Sequence, residues 1–347
     1  MDGDGRPQNQ AVADVRDDAS PGKRNWAVEN LSRQLFVSKI NENPWEESHE
    51  EELRVMNAGK VGAPFRTPDS VIRSAMMRFV TDGKGYRDTA ARISQELKKK
   101  GFPGISYSQL KKRSDRLNVH ILHNEALCYR LIAYGSGGVK PDPEVSLTVA
   151  VDSTGMSPDP ASGWMAYHWN KQQIRGWYKL HVAVDVNTNR VLAYAVTTEF
   201  YGDNKAFDTL MDIVFSDGHR VEAVYADAAY DAKTNWNRMR ELGIRFVANI
   251  RGCLDKSKRS ASSGKAKGCM ERAKQIIFIL RDGRDAWKEA VGYGRRWKVE
   301  STFSDMKRMF GDIIRARGPG AVANVLYWII RAFNLYKECR IEIGRAN

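Results

Sequence analysis

The stretch SLTVAVDSTG, residues 146–155, decides the fold. Its first six residues are mostly apolar and rich in β-branched types, which reads as a central strand. Asp152 closes the run, and a carboxylate there is costly unless it serves something at the strand end. Downstream, Tyr178–Val186 alternates strictly, with Tyr178, Leu180, Val182, Val184 and Val186 on one face and Lys179, His181, Ala183 and Asp185 on the other. That period of two predicts a second strand with one buried face, His181 lying on the polar side. A turn at 186–189 leads into a third strand, Arg190–Thr197, forming an antiparallel hairpin. A helix capped by Asp203 or Asn204 runs to Phe215. Val221–Ala226 is a fourth strand, a helix covers about Lys233–Leu242, and Arg245–Ile250 is a fifth strand. Two helices, about Asp285–Phe310 and Ala321–Cys339, close the chain. A strand meander followed by alternating helices and strands predicts an α/β fold: a mixed five-stranded sheet with helices on both faces.

Upstream the pattern is helical. Thr67-Pro68-Asp69 is a helix start, with Val71, Ile72, Ala75, Met76 and Phe79 at helical spacing. A second helix spans Tyr86–Lys100 and stops at the Gly-Phe-Pro-Gly of 101–104. Ser106 and Gln109 form a capping-box pattern that opens a third helix. It directs Leu110 and Leu117 inward and Lys111, Lys112, Arg113 and Arg116 outward. Helix, Gly turn and basic helix outline a helix-turn-helix that binds DNA through those four cations; a plain bundle with a basic face fits the same pattern. The organisation expected is therefore a largely disordered or loosely ordered segment over 1–60, a helical region over 61–130 and a catalytic domain over 145–340. A mobile basic loop, LDKSKRSASSGKAKG at 254–268, interrupts the last.

Composition agrees with a nucleic-acid partner. The 347 residues carry a formal charge of +13, and 42% are hydrophobic, enough for a full core. The four cysteines include no C-x-x-C pair, so neither a zinc module nor a disulfide framework follows. No apolar run approaches the roughly 18 residues of a membrane span. The acidic, polar start MDGDGRPQNQ is not a secretory signal, and a cytoplasmic protein is expected.

The acids carry the chemistry. Asp152 ends the first strand and Asp227 ends the fourth. If those strands are parallel neighbours, both carboxylates emerge at one edge, where ligands of open sheets gather. In the penultimate helix Tyr293, Arg296, Glu300 and Lys307 fall within an arc of about 60°. Val299, Phe303, Met306 and Phe310 occupy the adjoining arc, while Lys298 and Asp305 take the far, solvent side. Three carboxylates without Cys or His ligands suit a hard cation, Mg²⁺ or Mn²⁺. Two such ions about 4 Å apart are the usual device for in-line phosphoryl displacement. Arg296 and Lys307 can hold phosphates by charge-assisted hydrogen bonds.

These residues resemble the insertion-sequence DDE transposases of bacteria and archaea that carry a Y-(2)-R-(3)-E-(6)-K signature. Here Tyr293, Arg296, Glu300 and Lys307 keep every spacing. VDSTG at 151–155 and ADAAYD at 226–231 look like the first and second acidic motifs, and WYKLH at 177–181 like the strand-two motif. The resemblance covers about residues 145–335. It implies an RNase H-like fold, cut-and-paste transposition and two metal ions bound by Asp152, Asp227 and Glu300. It also implies DNA contacts from Tyr293, Arg296 and Lys307, with Tyr230 a further candidate. In relatives that pass through a hairpin DNA end, a Trp after the signature Arg helps hold a flipped base, and Trp297 occupies that position. Some relatives insert a large β-rich segment between the second Asp and the Glu. Here that interval is 300 − 227 = 73 residues, so any insertion is small. The partners implied are double-stranded DNA, both terminal inverted repeats and target, and a second copy of the chain in a homodimer, since two ends must be joined. Another RNase H-like nuclease or resolvase, or a non-catalytic DNA-binding protein derived from a transposase, remains open on sequence alone.

Overall fold

The computed structural model describes residues 25–41, 48–117, 120–121, 131–158, 177–250, 268–316 and 318–346. The expectations for the first 24 residues and for the basic loop up to residue 267 lie outside them.

Among the described residues five helices precede the sheet: α1 (Trp26–Asn41), α2 (Ser48–Asn57), α3 (Asp69–Asp82), α4 (Tyr86–Lys99) and α5 (Tyr107–Ser114). The capping box that opens α5 is formed, Gln109 N–H donating to Ser106 Oγ and Ser106 N–H to Gln109 Oε1. The first two helices differ from the loosely ordered segment expected over 1–60. Half of the sixteen residues of α1 are apolar, and packing orders it: Phe36 and Ile40 are buried, with Phe36 edge-on to Tyr336 at 5.7 Å.

The strands are β1 (His120–Ile121), β2 (Leu131–Ser136), β3 (Ser146–Pro158), β4 (Tyr178–Asp185), β5 (Val191–Thr198), β6 (Arg220–Ala226), β7 (Arg245–Ala248) and β8 (Ile313–Ile314). They make one sheet in the order β1-β2-β5-β4-β3-β6-β7, with β8 paired to β3. The five expected strands are present as a continuous run, β5-β4-β3-β6-β7. Among the described residues the sheet has eight strands instead of five, because β2 and β1 extend the β5 edge and β8 returns to β3. β4 is antiparallel to β3 and β5, while β6 is parallel to β3 and β7 to β6.

The remaining helices are α6 (Asp203–Ser216), α7 (Lys233–Glu241), α8 (Met270–Asp282), α9 (Arg284–Val291), α10 (Trp297–Phe310) and α11 (Pro319–Ala346). One hydrophobic core joins α1, α3, α4, α5, α10 and α11 to one sheet face through Leu180, Val182 and Tyr194. A second core joins α6 to α9 to the other face through Val149, Val151 and Ala183. Both faces are therefore covered, which corrects the one-sided reading of β4. His181 is fully buried under α6, its Nε2 2.9 Å from Thr197 Oγ1. The 28-residue α11 is the spine of the first core. Its buried Asn334 accepts from Val191 N–H at 2.8 Å and donates to the carbonyls of Val191 and Gly137 at 2.8 and 2.9 Å, pinning the start of β5.

Candidate active site

β3 and β6 run parallel, with Val151 opposite Ala226. The next residue after each is an acid, so Asp152 and Asp227 stand side by side where β6 ends. Asp152 does not end its own strand as expected, because β3 stays paired with β4 beyond it and runs on to Pro158. The local backbone orients one oxygen of each. Ser153 N–H donates to Asp152 Oδ1 at 2.8 Å. Ala229 N–H donates to Asp227 Oδ1 at 2.7 Å, where Asp227 caps the 3₁₀ turn Ala228–Tyr230.

The third acid arrives on α10, which is strung between the ends of those two strands. The long helix expected from about Asp285 is broken at Gly292, whose φ of 68° is left-handed, and resumes as a 3₁₀ turn over Tyr293–Arg296. From that turn the buried Tyr293 hydroxyl donates to the Ala226 carbonyl at 3.2 Å, next to Asp227. At its other end α10 stops at Gly311, and β8 pairs with the far end of β3, Ser157 N–H donating to the Asp312 carbonyl at 3.2 Å. A chain of ion pairs holds the back of the helix. Lys337 of α11 donates to Asp305 at 2.8 Å, Arg308 donates to Asp305 at 3.0 Å, and Arg308 reaches Glu29 of α1 at 3.3 Å. Asp305 was expected to face solvent. It is a buried-pair partner instead, because α11 and α1 cover the side of α10 that a helical wheel leaves bare.

Arg296 links the acids. Its Nη1 donates to Asp152 Oδ2 at 3.1 Å and its Nη2 donates to Glu300 Oε1. The Arg296 and Asp152 side chains are only 13% and 16% exposed, whereas Glu300 stands at the rim with 53%. Burial pushes the Asp152 carboxyl up to about 6, and the charges of Asp227 and Glu300 push the same way against the Ser153 amide and Arg296. Such a crowd of carboxylates is the donor set and the charge deficit that a divalent cation satisfies. With the guanidinium between two of the acids, no three Asp, Glu, His or Cys side chains among the described residues gather closely enough to chelate a metal.

The other candidate residues divide. Trp297, at the first position of α10, is 66% exposed beside Arg296. Lys307 lies two turns beyond Glu300 on the same helix and is half-buried. Tyr230 was a DNA-contact candidate, but it is fully buried, part of the core behind Asp152 and Asp227, and its ring reaches no surface. Tyr293 is likewise turned inward. Lys111, Lys112 and Arg116 are exposed on and just after α5, Lys111 paired to Asp115 at 3.1 Å. Arg113 does not point outward as expected. It bonds to the Thr67 carbonyl and to Asp69 and covers the Phe65 ring at 5.0 Å, tying α5 to the start of α3.

Two supports escaped the sequence reading. Arg272 of α8 forms a buried ion pair with Asp231 at 2.6 Å, and Trp236 Nε1 donates to the same carboxylate at 2.9 Å. Together they fix the turn that follows Asp227. Asp231 stood inside a quoted motif, but its partner lies in a helix the apolar run Ile276–Leu280 did not reveal. Trp177 packs flat on Gly155, so closely that a Cβ there would lie 2.3 Å from the indole. Any larger residue there would have to displace the Trp177 ring.

The family model described as Transposase DDE domain matches residues 143–335, more than half of the chain. The protein belongs to this transposase family. It is a DDE transposase, an enzyme of DNA transposition, and the matched residues run from just before β3 to the middle of α11. The transposase also has distant likenesses among solved structures. The Drosophila P element transposase strand transfer complex is 12% identical, with 91% of this chain and 86% of that one covered and a TM-score of 0.29. The Mos1 strand transfer complex is 12% identical, with coverage of 82% and 98% and a TM-score of 0.22. The simian T-cell lymphotropic virus intasome, solved with PP2A regulatory subunit B56 gamma, is 14% identical, with coverage of 64% and 67% and a TM-score of 0.23. Scores this low define neither fold nor mechanism. Among the described residues of the transposase, no helix is long and apolar enough to cross a membrane.

Proposed function

We propose that this transposase is a cut-and-paste enzyme of the bacterial and archaeal Y-R-E-K type, with an RNase H-like catalytic domain over residues 145–340. Asp152, Asp227 and Glu300 hold a pair of Mg²⁺ or Mn²⁺ ions. The observation that carries this reading is the convergence of Asp152 and Glu300, 148 residues apart in sequence, on the one guanidinium of Arg296, with Asp227 on the adjoining strand.

Bound divalent ions supply the activated water or 3′-hydroxyl and the stabilised leaving oxygen of an in-line phosphoryl displacement. The chain does the rest. Backbone amides hold one oxygen of Asp152 and one of Asp227 in place for this task. Tyr293 sets the register of α10 against β6 and so places Glu300. Arg296 and Lys307 hold the phosphates of the cut strand, and exposed Trp297 stacks on a base displaced at the end of the element. Helices within residues 61–130 read the terminal inverted repeats through Lys111, Lys112 and Arg116. Two copies assemble on a pair of ends, and the enzyme works in the prokaryotic cytoplasm at the nucleoid.

Asp152→Asn tests the reading. It keeps the shape and an acceptor for the Ser153 amide, but removes the metal-binding charge and the acceptor that Arg296 uses. Mg²⁺-dependent cleavage of a linear duplex bearing the element's termini should vanish while binding to that duplex persists. Persistent cleavage would remove the catalytic assignment.

A further inference from the structure

We propose that Arg296 is the internal counter-ion of the acidic site, and that it exchanges its carboxylate partners for a DNA phosphate, so that divalent cations and DNA load onto the enzyme cooperatively. The inference rests on reading Asp152, Asp227 and Glu300 as metal ligands, and it adds a second task to a residue otherwise expected only to touch the DNA backbone.

The geometry of the guanidinium carries it. A guanidinium usually grips one carboxylate with both arms. Here the two terminal nitrogens are divided between acids on different elements, Asp152 on β3 and Glu300 on α10. Asp152 Oδ1 accepts from the Ser153 amide and Oδ2 from Arg296, so both of its oxygens are engaged in this arrangement. A metal approaching between Asp152 and Glu300 meets a positive charge that is using the acceptors it needs, and the two cannot share the space.

The same side chain is placed to leave. Its Nε is buried and makes no hydrogen bond among the described residues, so the group has donor capacity unspent in this arrangement. It lies over the Tyr293 ring at 5.8 Å from the centroid, an aromatic face along which a planar guanidinium can turn. Its backbone sits at the junction of the 3₁₀ turn and α10, one residue before exposed Trp297 and therefore at the rim. A phosphate accepts two parallel N–H bonds from a guanidinium and carries the charge to draw it off the carboxylates. Once Arg296 turns, the acids lose their counter-ion and gain affinity for cations. By linkage, DNA raises cation affinity and cations raise DNA affinity by the same factor, which we expect to be about tenfold.

The test is Mn²⁺ binding to the full chain, followed by the paramagnetic resonance signal of the free ion. It is run with and without a linear duplex carrying the sequence that flanks its own gene. The unaltered enzyme should bind Mn²⁺ weakly alone and about tenfold more tightly with the duplex. Arg296→Gln should bind Mn²⁺ about tenfold more tightly than the unaltered enzyme in the absence of DNA, and saturating duplex should add little. Arg296→Lys, whose ammonium satisfies one carboxylate at a time, should fall between them and serves as the test if the Gln variant does not unfold cooperatively. Equal Mn²⁺ affinities for the free unaltered and Gln proteins, or full tightening by DNA in the Gln variant, would overturn the exchange. An Asp152→Asn arm separates the two levels. If it abolishes Mn²⁺ binding while Arg296→Gln behaves like the unaltered enzyme, the metal site stands and the exchange falls. If it leaves Mn²⁺ binding intact, the metal site itself falls.

Discussion

Lys337→Met should loosen the transposase at the helix that carries Glu300. Lys337 is 2% exposed and its ammonium lies 2.8 Å from Asp305. Burial pulls the Lys337 pKa down, and the Asp305 carboxylate opposes that pull. Burial likewise works to raise Asp305, but the bond and charge of Lys337 hold it below the usual carboxylate range. Methionine fills the volume and leaves Asp305 with Arg308 alone, a neighbour on the same helix that is 37% exposed. Removing one partner of a buried pair costs about 3–5 kcal/mol; Arg308 retains part of the compensation, so we expect about 2–3 kcal/mol. The double variant Lys337→Met/Asp305→Leu removes both charges and should return to within about 1 kcal/mol of the unaltered protein. Urea unfolding followed by tryptophan fluorescence reads both, with the midpoint falling in the single variant and the slope unchanged. The single variant should also cleave DNA more slowly, since α10 loses its grip on α11. A loss under about 0.5 kcal/mol in the single variant, or a double variant as weak as the single one, would refute the reasoning.

Other outcomes follow from the same contacts. Asn334→Ala deletes three buried hydrogen bonds to Val191 and Gly137 and should cost about 3 kcal/mol in the same unfolding assay. His181 has its pKa lowered from 6.5 to about 4, first by burial, with the Asp203 charge opposing and Lys179 adding to it. The unfolded chain therefore takes the proton first as pH falls. Stability held in full above pH 6.5 is lost as pH drops toward 4, by about 3 kcal/mol in total. His181→Gln should lose that part of the pH dependence, seen by comparing unfolding midpoints at pH 7 and pH 4.5; parallel curves for the two proteins would contradict it. Glu300→Gln, at the rim of the site, should bind the terminal duplex as before and fail to cleave it, measured by gel shift and by product formation.

The centre of the sheet was legible because its signals are local. Val149–Val151, the alternation of Tyr178–Asp185 and the run Val221–Ala226 name their strands directly, and Asp152 and Asp227 follow the first and the last of these runs. The helical arc read through Tyr293, Arg296, Glu300 and Lys307 holds only for the last two on α10, since Tyr293 and Arg296 belong to the 3₁₀ turn that follows Gly292. What sequence periodicity misses is cover supplied from elsewhere. His181 and Asp305 each sat on the polar side of a correct element, yet α6 buries one and α11 the other. Arg113 read as a surface cation until α3 met it with Asp69. α8 was lost because Ile276–Leu280 is uniformly apolar and carries no period. β8 has two residues, too few to show a pattern, although its pairing with β3 helps return α10 to the site.

Anomalous diffraction from crystals of the enzyme bound to its terminal duplex and Mn²⁺ addresses the metal centre without relying on activity. The account predicts two Mn²⁺ peaks about 4 Å apart, ligated by oxygens of Asp152, Asp227 and Glu300, with Arg296 turned onto a phosphate. Mn²⁺ bound away from these three side chains, or carboxylates that stay too far apart to share an ion in the presence of DNA, would contradict it.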